Sequence, residues 1–155
     1  MTAQTSSDIT DQKTDMTRES ERDEVIAKAT LAKKVAPEIA QLGTGVKNQI
    51  LLAAAEALLE RSAEIIEANS RDIAAGRESG MAESLIDRLA LDEDRIEGIA
   101  GGLRQVAGLT DPVGEVLQGR VMENGIQMRQ IRVPLGVMGM VYEARPNVTV
   151  DAFGL

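Results

Sequence analysis

Residues 132–155 read RVPLGVMGMVYEARPNVTVDAFGL, and within them Leu135 to Val141, LGVMGMV, is an apolar run without alternation. That is the pattern of a strand covered on both faces in a parallel sheet. RPNVTVDAFGL then reads as a helix opening, with Asn147 as N-cap and Asp151 in the first turns, where negative charge complements the helix dipole. Strand, polar turn and helix is the order by which open α/β sheets place ligands at the carboxyl ends of strands, and YEARPN, residues 142–147, falls at that end. Gly136 and Gly139 are expected to admit a second backbone close to the strand. Arg145 brings a permanently charged planar fork suited to phosphate or carboxylate, and the helix start beyond it brings free amides. The plainer alternative is a surface turn with an exposed Arg and a capping Asn.

Working back from this stretch, residues 115–133, EVLQGRVMENGIQMRQIRV, place Asn124-Gly125 between two β-leaning runs. A two-residue type I′ turn there predicts a hairpin with Val121 opposite Met128. Ile126 and Met128 lie on one face of the second strand but Ile131 and Val133 on the other, so the alternation slips near Gln130. A bulge there, or an arm whose faces meet different bodies, accounts for the slip.

Upstream the period is helical. Apolar residues from Asp23 to Leu42 recur at Val25, Ala29, Ala32, Val35 or Ala36 and Ile39, with Pro37 expected to bend or interrupt the helix and LGTG, 42–45, to end it. A second pattern starts near Val46 and continues through Ile65 and Ile66 to Asn69, after which Ser70 is the expected N-cap of a shorter helix with Asp72 in its first turn. Asp92 is the N-cap expected for a helix from about Glu93 to Leu109 with Ile96, Ile99, Leu103 and Val106 as its stripe. Gly98, Gly101, Gly102 and Gly108 weaken that helix, each interior Gly costing roughly 1 kcal/mol against Ala, and close packing by a neighbour is the expected compensation. Residues 1–22 are too polar to offset ordering entropy and read as a disordered acidic tail. The stripes themselves are read as a helical layer.

Composition removes whole classes of function. The 155 residues carry 17 Lys and Arg against 25 Asp and Glu, a net charge of -8, and contain no Cys, His or Trp. Disulfides, Cys/His metal sites, a thiolate nucleophile and an imidazole base are thereby absent from the chain. Net negative charge and the scarcity of aromatic rings disfavour nucleic acid, no apolar run is long enough to span a membrane, and no secretory signal opens the sequence, so a cytoplasmic location is expected.

DRLALDEDRIEGIAGGLRQVAGLTDPVGEV followed by RVPLGVMGMVYEARPNVTVDA resembles the N-terminal part of the gamma-glutamyl phosphate reductase (glutamate-5-semialdehyde dehydrogenase) family, a branch of the aldehyde dehydrogenase superfamily, and EANSRDIA belongs to the same likeness, which runs from about residue 23 to the end. The resemblance implies an α/β fold: this part mostly α-helical, with one Rossmann-type strand at 135–142 and residues 115–133 as a projecting hairpin used in homo-oligomer contacts. Residues 23–155 would be a truncated N-terminal part of the cofactor-binding domain. It also implies NADPH-dependent reduction of gamma-glutamyl phosphate to glutamate-5-semialdehyde with release of phosphate, in proline biosynthesis. The family forms a thioester on a cysteine; this chain has none, so by itself it is expected to be inactive. By the same resemblance Tyr142, Glu143, Ala144, Arg145 and Pro146 lie on the loop that meets cofactor and substrate, and Asn147 is the oxyanion donor. The commoner superfamily version of the loop is a differently spaced Pro-Trp-Asn, which leaves Arg145 as the alternative occupant of the Asn position and Glu143 as a partner that holds Arg145.

Three weaker signals are set aside. NVT at 147–149 matches a glycosylation sequon without a secretory signal, neither GTG nor GVMG has the spacing of a dinucleotide fingerprint, and Asp92, Glu93 and Asp94 suit a helix start better than a metal. The rival reading is a non-catalytic helical interaction module that binds partners through its hairpin by strand addition.

Overall fold

The computed structural model describes residues 4–155, with side chains from Arg18 onward. It is mostly helical, with one two-stranded antiparallel hairpin, and divides into two units: 42–133 with 139–155, and the residues up to Gln41 with 134–138.

In the second of these, α1 spans Gln4–Ile39. Residues 1–3 of the expected tail lie outside the described residues; from Gln4 the backbone is helical where the sequence suggests disorder. Polarity denies this segment a core, but helical hydrogen bonding needs only backbone groups. Arg18 to Arg22 are all exposed. Pro37 stands inside α1 without ending it at once: the helix goes on to Ile39 and Ala40 N still donates to Ala36 O (2.9 Å). Only the last turn follows the proline, so the missing amide is lost where the helix is ending anyway.

The larger unit is organised by two helices. In it, α2 (Thr44–Glu60) and α5 (Glu93–Ala107) meet across Ala55, Ala100 and Leu103, with Leu51, Leu58 and Val150 packed around them. Alanines at the crossing let the two backbones approach closely, so the buried centre is made of small residues and one large one. Asp92 caps α5 as expected, accepting from Arg95 N at 2.7 Å. Of the predicted stripe, Ile96 and Leu103 are buried and Ile99 and Val106 are half-buried. Close packing does not compensate the glycines, however. Nothing lies within 4 Å of a Cβ built on Gly98, Gly101 or Gly102.

The break between the next two helices falls elsewhere than expected. It lies at Arg61 (φ -106°, ψ 18°), and α3 runs unbroken over Ser62–Glu78, straight through Asn69 and Ser70. Ser70 caps nothing: its hydroxyl donates to Glu67 O one turn back (2.6 Å), the way a mid-helix serine satisfies itself. α3 ends in a paired-amide C-cap, with Gly80 N on Arg77 O and Met81 N on Gly76 O, and Gly80 at φ +79° supplies the left-handed residue such a cap needs. The chain then turns into α4 (Glu83–Leu89), whose Ile86 is buried so close to Gly76 that a Cβ there would stand 3.0 Å from Ile86 Cδ1.

The hairpin pairs β1 (Val116–Val121) with β2 (Gln127–Ile131), every residue of both strands being exposed. Its register differs from the expectation by one residue: Val121 faces Gln127, and Arg120 faces Met128. The loop has three residues, not two. Gly125 N donates to Met122 O and Met122 N to Ile126 O, while Asn124 Oδ1 accepts from Ile126 N. Only Gly125 has positive φ (+84°), so Asn124, held by its own side chain, does not enter the type I′ geometry. The expected irregularity does occur at the level of Gln130, but as an extra residue in β1, since Val116 pairs with Ile131 and Gln118 with Gln130.

Residues 135–141 form no strand. The only sheet among the described residues is β1-β2, and an apolar segment without an adjacent strand has no backbone partners to hold it extended in a ladder. Leu135, Met138 and Val141 are largely or wholly exposed, and no atom lies within 4 Å of a Cβ built on Gly136 or Gly139, so the expected close approach is not realised.

Candidate functional site

Residues 142–147 lead into α6 (Pro146–Gly154), which packs on α5. The approach is tight at its end, where a Cβ on Gly154 would stand 2.7 Å from Leu103 Cδ2. Pro146 occupies the first helical position, where its missing amide and fixed φ suit a helix start. Arg145 therefore takes the cap position, with φ -142° and ψ 82° and no side-chain cap bond.

Asn147, expected at the cap, lies one residue inside the helix instead, and its Nδ2 donates to Asp151 Oδ2 at 3.1 Å across one turn. An amide nitrogen carries two hydrogens. The Asp151 bond takes one and fixes the plane of the group, leaving the second to point elsewhere. The Tyr142 hydroxyl is bonded to Thr149 Oγ1, which ties the start of the loop to the second turn of α6. Between them Ala144 is held at φ +48°, a conformation uncommon for a residue with a side chain. Tyr142, Glu143, Arg145 and Asn147 are exposed, and Ala144 and Pro146 half-buried. Neither Glu143 nor Arg145 enters an ion pair among the described residues, so Glu143 does not hold Arg145 here, and the Arg145 guanidinium is left without a carboxylate.

Beside this loop runs a groove of about 380 Å³ whose lining includes Arg88, Arg95, Gly98, Gly102, Asn147 and Asp151. Gly98 and Gly102, which have open space where a Cβ would stand, thus face a depression. Arg95 is partly committed: it donates to the carbonyl oxygens of Asp87 and Ala90 and pairs with the Asp87 carboxylate (3.0 Å), closing the C-terminus of α4. Behind it, buried Asn69 bridges the same turn, its Nδ2 donating to Leu89 O (2.9 Å) and its Oδ1 accepting from Leu91 N (2.8 Å). Sequence periodicity missed Arg88, Arg95 and Asn69. The mid-helix polar residue at 69 and the glycines four apart at 98 and 102 were the available signals.

A second, mainly apolar depression of about 770 Å³ is lined by residues of α2, α3, α5 and α6, among them Leu58, Ile65, Leu103, Val150 and Phe153. Among the described residues no cluster of acidic side chains is arranged to hold a metal, and no helix is long and apolar enough to cross a membrane.

No protein-family model matches the chain. Solved structures do. The gamma-glutamyl phosphate reductase of Thermotoga maritima is 42% identical and superposes with a TM-score of 0.81 over 85% of this chain and 32% of that one. The gamma-glutamyl phosphate reductase of Saccharomyces cerevisiae is 33% identical, with a TM-score of 0.76 over 81% of this chain and 32% of that one. The chain thus spans about a third of the length of these two proteins.

Proposed function

The chain belongs with the gamma-glutamyl phosphate reductases as part of their fold, and from that premise we propose that it contributes the 142–147 loop to the reduction of gamma-glutamyl phosphate to glutamate-5-semialdehyde, with release of phosphate, in proline biosynthesis. The observation that carries this reading is the 42% identity held over 85% of the chain.

The residues fit a share of that task. Arg145, exposed and free of a carboxylate among the described residues, is the group to meet the phosphate of the substrate or of the cofactor. Asn147, with one amide hydrogen fixed on Asp151 and the other free, is placed to donate to an acyl oxygen as negative charge develops there. Tyr142, Glu143, Ala144 and Pro146 shape the loop between them. NADPH, when bound, would supply the hydride, and Arg145 is the residue of this loop that would meet one of its phosphates. The chain has no cysteine, and the nucleophilic thiol of the family's route has to come from elsewhere. We therefore expect the 155-residue chain by itself to be inactive. The homo-oligomer contact of the hairpin and a cytoplasmic location belong to the same proposal. The rival, a non-catalytic module, draws on the full exposure of both hairpin strands.

The test is NADPH oxidation coupled to phosphate release. The isolated chain should stay at background, whereas a full-length reductase carrying this segment should turn over and lose roughly 10²- to 10³-fold in kcat on Asn147→Ala. Turnover by the isolated chain, or an Asn147→Ala enzyme as fast as its parent, would refute the corresponding assignment.

A further inference from the structure

The hairpin has no hydrogen bond or ion pair from either strand to a helix among the described residues, and all its strand residues are exposed. Burial therefore does not fix its direction. What reaches across is the segment that feeds it. Asp111 lies between the end of α5 and the start of β1, and its carboxylate is divided between two elements. Oδ2 accepts from Thr44 Oγ1 (3.0 Å) and Lys47 Nζ (2.8 Å), both in the first turn of α2. Oδ1 accepts from Val113 N (3.0 Å), fixing the turn that enters the hairpin.

From there the restraint passes on without a gap. Gly114 N donates to Arg132 O, Arg132 N to Glu115 O, and Arg132 Nε to Glu115 Oε2 at 2.7 Å, so the segments leading into β1 and out of β2 are tied together next to the turn that Asp111 holds. The same carboxylate answers a need of α2. Gly43, at that helix's cap, offers no side chain, and a negative charge at a helix N-terminus is favourable. Asp111 and Lys47 are mostly buried, with side chains 16% and 27% exposed, which sets this pair apart from the open ion pairs on the rest of the surface.

We propose that Asp111 is the joint that sets the direction of the hairpin on the helical layer, by holding the first turn of α2 and the entry turn of β1 with one carboxylate. An arm so fixed loses less freedom when it meets a partner than one that swings, which favours association without any added contact. The proposal stands apart from the enzymatic reading, because it concerns the hairpin and needs no turnover.

The absence of native cysteine allows unique labelling. Spin labels at Glu123→Cys, on the hairpin loop, and Glu60→Cys, at the far end of α2, report the arm's direction as a distance distribution. Asp111→Ala should broaden that distribution by about twofold while far-UV circular dichroism stays unchanged, the signature of a local release. The Thr44→Val/Lys47→Met pair removes the α2 side of the joint but leaves the Asp111–Val113 turn, and it should broaden the distribution likewise, which covers the case in which Asp111→Ala does not fold. An unaltered distribution in a folded Asp111→Ala protein, or in the folded double variant, overturns the proposal.

Discussion

Residues 51–59 and residues 135–141 are both rich in apolar side chains, yet one ends around a buried centre and the other lies open. In α2 the backbone groups satisfy one another, so the apolar face can be placed against α5, and Ala55 and Leu103 become buried. In LGVMGMV the backbone needs a neighbouring strand before the side chains can be used, and none is described. Val141 stays fully exposed. Hydrophobicity alone therefore does not bury a segment; its backbone must first find partners.

The comparison is broken most directly by trimming one apolar side chain at each place, Leu103 on the α5 side of the buried centre and Val141 in the open run. Leu103→Ala should destabilise the chain by about 3 kcal/mol, as transfer and cavity costs add at a site enclosed by α2, α5 and α6. Val141→Ala should change stability by less than about 0.5 kcal/mol. Urea unfolding followed by circular dichroism measures both, and a Val141→Ala loss as large as that of Leu103→Ala would mean that residues 135–141 are buried after all.

A smaller effect, of opposite sign at two positions, sharpens the same point within the helices. Gly76 faces Ile86 Cδ1 and Met81 Sδ at 3.0 and 3.4 Å from a Cβ position, whereas Gly98 faces open space. Gly76→Ala should cost about 1 kcal/mol through crowding. Gly98→Ala should raise stability by roughly 0.5–1 kcal/mol through helix propensity. If Gly98→Ala destabilises, something occupies the groove beside Gly98 in solution.

These glycines also show what was legible in the sequence. The Asp92 cap and the presence of the hairpin and of a helix after the 142–147 loop were readable because each is decided by residues a few positions apart, although the cap of α6 is Arg145 and not Asn147. The family likeness was carried by the stretches from Asp87 to Val116 and from Arg132 to Ala152 and not by periodicity or packing. The break at Arg61 was hidden because the apolar spacing runs through it unchanged, and Ser70 looked like a cap because its back-bond to Glu67 is invisible in a one-dimensional pattern. The hairpin slipped by one residue because Asn124 had two local options, positive φ or a side-chain bond to Ile126 N, and took the second. At the candidate site the loop was located from sequence, but the commitment of Asn147 to Asp151 and of Arg95 to the end of α4 depends on how α4, α5 and α6 meet.

The slightest effect concerns the junction of α2 with the hairpin. Hydrogen bonding from Lys47 is the main reason the Asp111 carboxyl is held below its usual value of 3.8, with the Val113 amide next and Thr44 adding to it. A carboxyl lowered by folding stabilises the folded chain above its unfolded value, and that contribution disappears as pH falls through the lower, folded value. Asp111→Asn, which cannot ionise, should therefore be less stable than the parent near neutral pH, and the gap should narrow as pH is brought from about 6 to about 3. The gap should also shrink with added salt, though less than for an open pair, because the carboxylate and Lys47 are mostly shielded from solvent. Parallel pH profiles for the two proteins in urea titrations would show that the carboxylate's charge plays no part, and that the α2–hairpin junction is held by shape and neutral hydrogen bonds instead.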